Sequence, residues 1–125
     1  MLRKLAVAAS FALAVLALPV PAVHAASELD FTLANGTGYG IAELYIAPSA
    51  SDSWGSNILQ SGLENGESVA IQFHPSAESA SDWDIMIVWV DGGDKVYWRH
   101  ANLKNISKIT LKYNRSTGET KAISE

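Results

Sequence analysis

The sequence predicts an all-β domain, an antiparallel β-sandwich of about seven strands, with a small β-barrel as the alternative. Three observations carry this expectation. Short runs alternate apolar and polar residues, turn-forming Gly, Asn, Asp and Ser clusters separate those runs, and no amphipathic helical period appears after Ala25.

The segment Met1–Ala25 reads as an export leader. Arg3 and Lys4 form a short positive start, Leu5 to Leu18 is an apolar run, and Pro19 and Pro21 break any helix. Val23-His24-Ala25 satisfies the small-residue rule for cleavage between Ala25 and Ala26. The run is short for a spanning helix, which needs about 20 apolar residues. Without cysteine no lipid-modified N-terminus can form, and Arg3-Lys4 is not a twin-arginine pair. The expected product is a single periplasmic or secreted domain, residues 26–125, with no membrane attachment after cleavage.

Along that domain, Leu29, Phe31 and Leu33 alternate as a first strand. Asn35-Gly36-Thr37-Gly38-Tyr39-Gly40 is a turn or loop, and Ile41 to Ala47 alternates until Pro48 ends it. A polar loop carrying Trp54 comes next, with one helical turn expected around Ile58 and Leu59. Val69, Ile71 and Phe73 form the next strand, and Pro75 makes the segment from His74 to Ser81 a loop. Ile85–Val90 and Val96–Trp98 read as a hairpin about Gly92-Gly93, because tight hairpin turns need positive φ. A two-residue turn would set Trp89 opposite Val96, Ile87 opposite Trp98 and Ile85 opposite His100. Ile109, Leu111 and Tyr113 alternate next, and Thr120 to Ile123 returns as an edge strand.

Charge is divided along the chain. Residues 26–94 hold 11 acidic side chains and no Lys or Arg, whereas residues 95–125 hold seven basic and two acidic ones. The domain's net charge of −6 argues against nucleic acid and anionic membranes as partners. Pairing of basic C-terminal strands with acidic N-terminal ones accounts for the asymmetry; an acidic face for cations is the competing account. Cysteine is absent, so thiol chemistry, thiolate zinc and structural disulfides are excluded.

Taken together, Asn35-Gly36-Thr37-Gly38, Ile41 to Ser49 with Leu44-Tyr45 and Pro48-Ser49, Trp54-Gly55, Leu63 to Gly66, Trp83-Asp84-Ile85, Asp91-Gly92 and Ile109-Thr110-Leu111 form a spaced set. The set resembles a family of small exported bacterial β-sandwich proteins of unknown function. The resemblance covers nearly the whole domain and implies fold and export, without catalytic residues. Relatives often carry two cysteines at positions that correspond to Ser81 and Lys104, so the implied bridge is missing here. Members are sometimes labelled argininosuccinate lyase, an assignment rejected because that enzyme class is a large, helical, cytoplasmic assembly.

Four kinds of chemistry have raw material in the chain. The Gly36-x-Gly38-x-Gly40 spacing lacks the helix that a phosphate loop needs, so it reads as a plain loop. Asp91 and Asp94 flank the hairpin turn and are the candidate calcium ligands, with Asp52, Asp82 and Asp84 as further acidic loop residues. At about 3.3 Å per residue Asp82 lies roughly 25 Å from that turn, so the set cannot form one site. His74 and His100 have no Gly-x-Ser-x-Gly elbow or His-Glu-x-x-His helix beside them, and a Glu43–Asp84 carboxylate pair is equally unconstrained. His100 is expected as a half-buried strand residue.

Exposed aromatics offer the fourth chemistry. Trp54, Tyr39 and Tyr45 are the candidate ligand-binding residues, whereas Trp89 and Trp98 are expected in the core. The resulting expectation is a monomeric, exported, non-catalytic binding or structural module without a cofactor, whose partner is a protein or a carbohydrate. A calcium-dependent binding domain is the alternative, and a small secreted hydrolase the third reading.

Overall fold

The computed structural model describes residues 15–19 and 27–125. Among them are eight strands: β1 Val15–Pro19, β2 Phe31–Asn35, β3 Ile41–Pro48, β4 Ser68–Phe73, β5 Asp82–Trp89, β6 Val96–Asn102, β7 Lys108–Asn114 and β8 Glu119–Ser124. A short 3-10 helix, Pro75–Ser79, links β4 to β5. The expected cleavage point at Ala25 and Ala26 lies outside the described residues.

The strands form two open sheets, β1-β4-β2-β7-β8 and β3-β5-β6, so the arrangement is a sandwich and not the alternative barrel. Neighbours run antiparallel except β2 and β7, which pair in parallel from Thr32–Lys108 to Asn35–Leu111. Strands β2 to β8 correspond to the seven expected from alternation. Strand β1 is additional and comes from the apolar run of the expected leader.

Period-two burial explains why these residues form these strands. Leu33, Leu44, Ile71, Ile85, Ile87 and Leu111 are fully buried between the sheets. Each such side chain contributes about 1.5–3 kcal/mol through its removal from water. Trp83, Trp89 and Trp98 are buried with them, as expected for the last two. Their polar edges are satisfied: Trp83 Nε1 donates to the Ala80 carbonyl at 3.0 Å. Trp98 Nε1 donates to the Lys121 carbonyl at 2.8 Å, tying one sheet to the other. Phe73 meets Trp83 edge-on, with ring centroids 5.0 Å apart.

The central hairpin keeps its expected sides but changes register. Ile85 faces Trp98 and Ile87 faces Val96, two residues away from the pairing that a two-residue turn would give. Gly92 and Gly93 both have positive φ, 83° and 95°, but they sit inside a longer loop that opens with Gly92 N–H bonding to the Trp89 carbonyl. A shift of two preserves which side chains face inward, so the core expectation survives the wrong turn length. Further along, the register slips between Trp83 and Ile85, and His100 takes a φ of 58°. His100 is therefore an exposed residue at a bulge, not a half-buried strand residue opposite Ile85.

Two local expectations are also corrected. Residues 57–63 form no helical turn; they lie beside β3, where Ile58 N–H bonds to the Leu44 carbonyl and Leu63 exchanges two bonds with Ile41. Pro75 does not prevent a helix, because it occupies the first turn, where its missing N–H costs nothing. His74 caps that turn by accepting the Ser76 N–H on Nδ1 at 3.1 Å.

Pairing takes up part of the charge asymmetry. Arg99–Asp84, Lys104–Glu28 and Arg115–Asp91 each join a C-terminal cation to an N-terminal carboxylate. The Asn35 loop is held from within: Asn35 is buried, Nδ2 donates to the carbonyls of Tyr39 and Leu63 at 2.8 and 2.9 Å, and Oδ1 accepts from Thr37 N–H and Oγ1. The loop leads directly into β3, so no helix N-terminus is available to a phosphate.

Candidate functional site

Two aromatic constellations arise, one where strand alternation turns side chains away from the core and one at the margin of the core itself. The first lies on the outer face of β3-β5-β6. Tyr45 pairs with Met86, and Met86 with Tyr97, so the three form one row across the sheet. The loop after β3 brings Trp54 onto this face, with its ring centroid 5.9 Å from that of Tyr97 and the planes tilted by 38°. Arg99, next but one to Tyr97 along β6, lies with its guanidinium carbon 4.6 Å from the Tyr97 centroid and 6.0 Å from that of Trp54. Tyr97 is 37% exposed and Trp54 half-buried, so the aromatics present apolar surface to solvent beside a charged group.

Asp84 anchors that platform from beneath. Its carboxylate accepts Ser49 Oγ at 2.7 Å, His100 N–H at 3.0 Å and Arg99 Nη1 at 3.0 Å. Burial pushes its pKa up, but the hydrogen bonds from Ser49, His100 and Arg99 and the Arg99 charge outweigh burial and hold it below the usual value. His100, whose φ is positive, lies at the bulge where its N–H meets this carboxylate. At the other side of the row Tyr45 Oη donates to Glu43 Oε1 at 2.5 Å. That hydrogen bond, with burial and the Glu43 charge, pushes the phenol up to about 12. Glu43 and Asp84 are thus each engaged by a different neighbour.

The second constellation lies at one end of the sandwich. Trp89 stacks on Tyr113 at 5.3 Å and meets Tyr39 edge-on at 5.8 Å. Into this aromatic corner the β7–β8 turn inserts Arg115, whose guanidinium carbon sits 3.7 Å from the Tyr39 centroid and 5.0 Å from that of Trp89. Arg115 also grips Asp91 with both terminal nitrogens, at 3.0 and 3.1 Å. The hydrogen bonds from Arg115 lower the Asp91 pKa. The chain's own guanidinium therefore covers Tyr39.

The expected site residues are divided accordingly. Trp54 and Tyr45 share the outer face, and Tyr39 belongs to the Arg115 corner. Of the candidate calcium ligands, Asp91 is engaged by Arg115 and Asp94 is exposed in the hairpin loop. Among the described residues no group of three or more His, Asp or Glu is gathered to hold a metal ion. His74 and His100 serve a helix cap and a bulge.

Tyr97, Arg99 and Arg115 are not among the site residues that the sequence nominates. The first two were visible as the outward half of the hairpin's alternation, whereas Arg115 sits in a turn with no periodic signal. No protein-family model, curated protein or solved structure matches this chain, so its fold and the geometry of its outer face carry the functional reading.

Proposed function

We propose that the protein is an exported, non-catalytic binding module that holds a carbohydrate on the outer face of β3-β5-β6. One observation carries this reading: Trp54 and Tyr97 present adjoining rings beside Arg99, whose own position is fixed by buried Asp84. Aromatic faces bury the apolar face of a sugar ring at low entropic cost, and a neighbouring guanidinium supplies donors to its hydroxyls. The leader-like segment Met1–Ala25 and the resemblance to a small exported family support the same address.

Co-sedimentation with cellulose, chitin and bacterial cell-wall sacculi tests it. At least one polysaccharide is expected to retain the protein, and Trp54→Ala to weaken retention by about 30-fold, the size of a binding hot spot. Retention by none of them, or equal retention of a folded Trp54→Ala variant, contradicts the reading.

A further inference from the structure

A strand at the edge of a sheet presents unpaired N–H and C=O groups, and natural proteins cover or charge such edges. Three edges of this sandwich are managed. Residues 57–63 cover β3 through bonds to Ile41 and Leu44. Strands β6 and β8 meet at a corner closed by the Trp98–Lys121 bond, and β8 carries Glu119 and Lys121. Strand β4, Ser-Val-Ala-Ile-Gln-Phe, has no charge, proline or bulge of its own. Its edge is covered by β1, antiparallel and in register from Val15–Phe73 to Pro19–Val69, with Ala17 buried beside Ile71.

Strand β1 lies within the segment expected to be cut away on export. Glu67 and Phe73 bond toward the β2 side, through Asn35 N–H and Asp30 Oδ1. Alternation then turns the backbone groups of Ala70 and Gln72 toward the edge that β1 holds. We propose that the exported protein uses this edge to bind an extended apolar segment of a partner polypeptide, laid antiparallel along β4 in the place of Val15–Pro19. The covering strand is the template for its ligand: a short uncharged run with a small residue opposite Ile71. A second copy of β4 fits less well, because symmetric pairing sets Ile71 or Val69 where Ala17 sits, and added bulk in a packed site is destabilising. Backbone bonds would supply affinity, and the small-residue position selectivity.

The inference rests on the export reading, and the experiment separates the two. The protein is produced from its full sequence, isolated from the periplasm, weighed intact, and titrated with a labelled peptide of residues 14–20 flanked by lysines. A chain beginning at Ala26 that binds the peptide saturably is the expected result. Ala70→Pro, which removes an edge-facing N–H, should weaken binding about tenfold. A peptide with Ala17→Trp should not bind. A mass that retains residues 15–19 overturns both export cleavage and this inference. A chain beginning at Ala26 that ignores the peptide up to about 1 mM, or binds the Ala17→Trp peptide equally well, overturns the inference alone.

Discussion

Arg99 Nη1 donates to Asp84 Oδ2 across 3.0 Å, and the pair is unequal: the Asp84 side chain is 5% exposed and that of Arg99 54%. The carboxylate is the buried partner, and it depends on three donors to offset lost hydration. Asp84→Ala strands those donors and should cost about 2–3 kcal/mol of unfolding free energy. The folded pKa is depressed, so the stabilisation is complete above the unfolded value of about 3.9 and is lost as pH falls through the lower, folded value. Urea unfolding across acidic pH should show this loss in the wild type and a shallower one in Asp84→Asn.

Asn35 faces two carbonyls with its amide nitrogen and two donors from Thr37 with its oxygen. Asn35→Asp replaces the donor with an acceptor against the Tyr39 and Leu63 carbonyls. A loss of about 3 kcal/mol or more is expected in equilibrium unfolding, larger than that of Thr37→Ser, which keeps the hydroxyl.

Tyr45 should ionise late. Absorbance titration is expected to show a tyrosine with a pKa of about 12 against an ordinary value of 10.0, absent in Tyr45→Phe. Because the folded pKa is raised, the stability it contributes is complete below 10.0 and lost as pH climbs toward 12. Glu43→Gln should bring the transition earlier, since it removes the charge and the carboxylate acceptor.

Arg115 joins Asp91 to the Tyr39–Trp89–Tyr113 corner through a planar fork. Arg115→Lys keeps the charge but loses the two parallel bonds. Both Arg115→Lys and Arg115→Ala should shift Trp89 near-ultraviolet circular dichroism. Any stability difference from the wild type should shrink at high salt, because the pair is exposed.

The strands were legible because alternation is a local property: Leu33, Ile71, Ile87 and Leu111 announce an inward face whatever their partners. Register was less legible. Asp91-Gly92-Gly93-Asp94 permits several loop lengths, and the pairing that sets Trp98 opposite Ile85 is one of them. The His100 bulge left no mark in the sequence, since the carboxylate that its N–H meets lies on the neighbouring strand. Trp54 was legible as an aromatic in a polar loop. Its neighbours Tyr97 and Arg99 stand far off in the chain, on β6, and are joined to it by the fold alone.

The four indole N–H groups report separately on the core and on the outer face. Trp83 and Trp98 donate to the Ala80 and Lys121 carbonyls inside the protein, and Trp89 is buried. A nuclear magnetic resonance titration with the oligosaccharide of whichever polysaccharide retains the protein should therefore move the Trp54 indole signal and leave the other three in place. Movement of Trp83, Trp89 or Trp98 with a stationary Trp54 would place the ligand elsewhere and contradict the outer face as the binding surface.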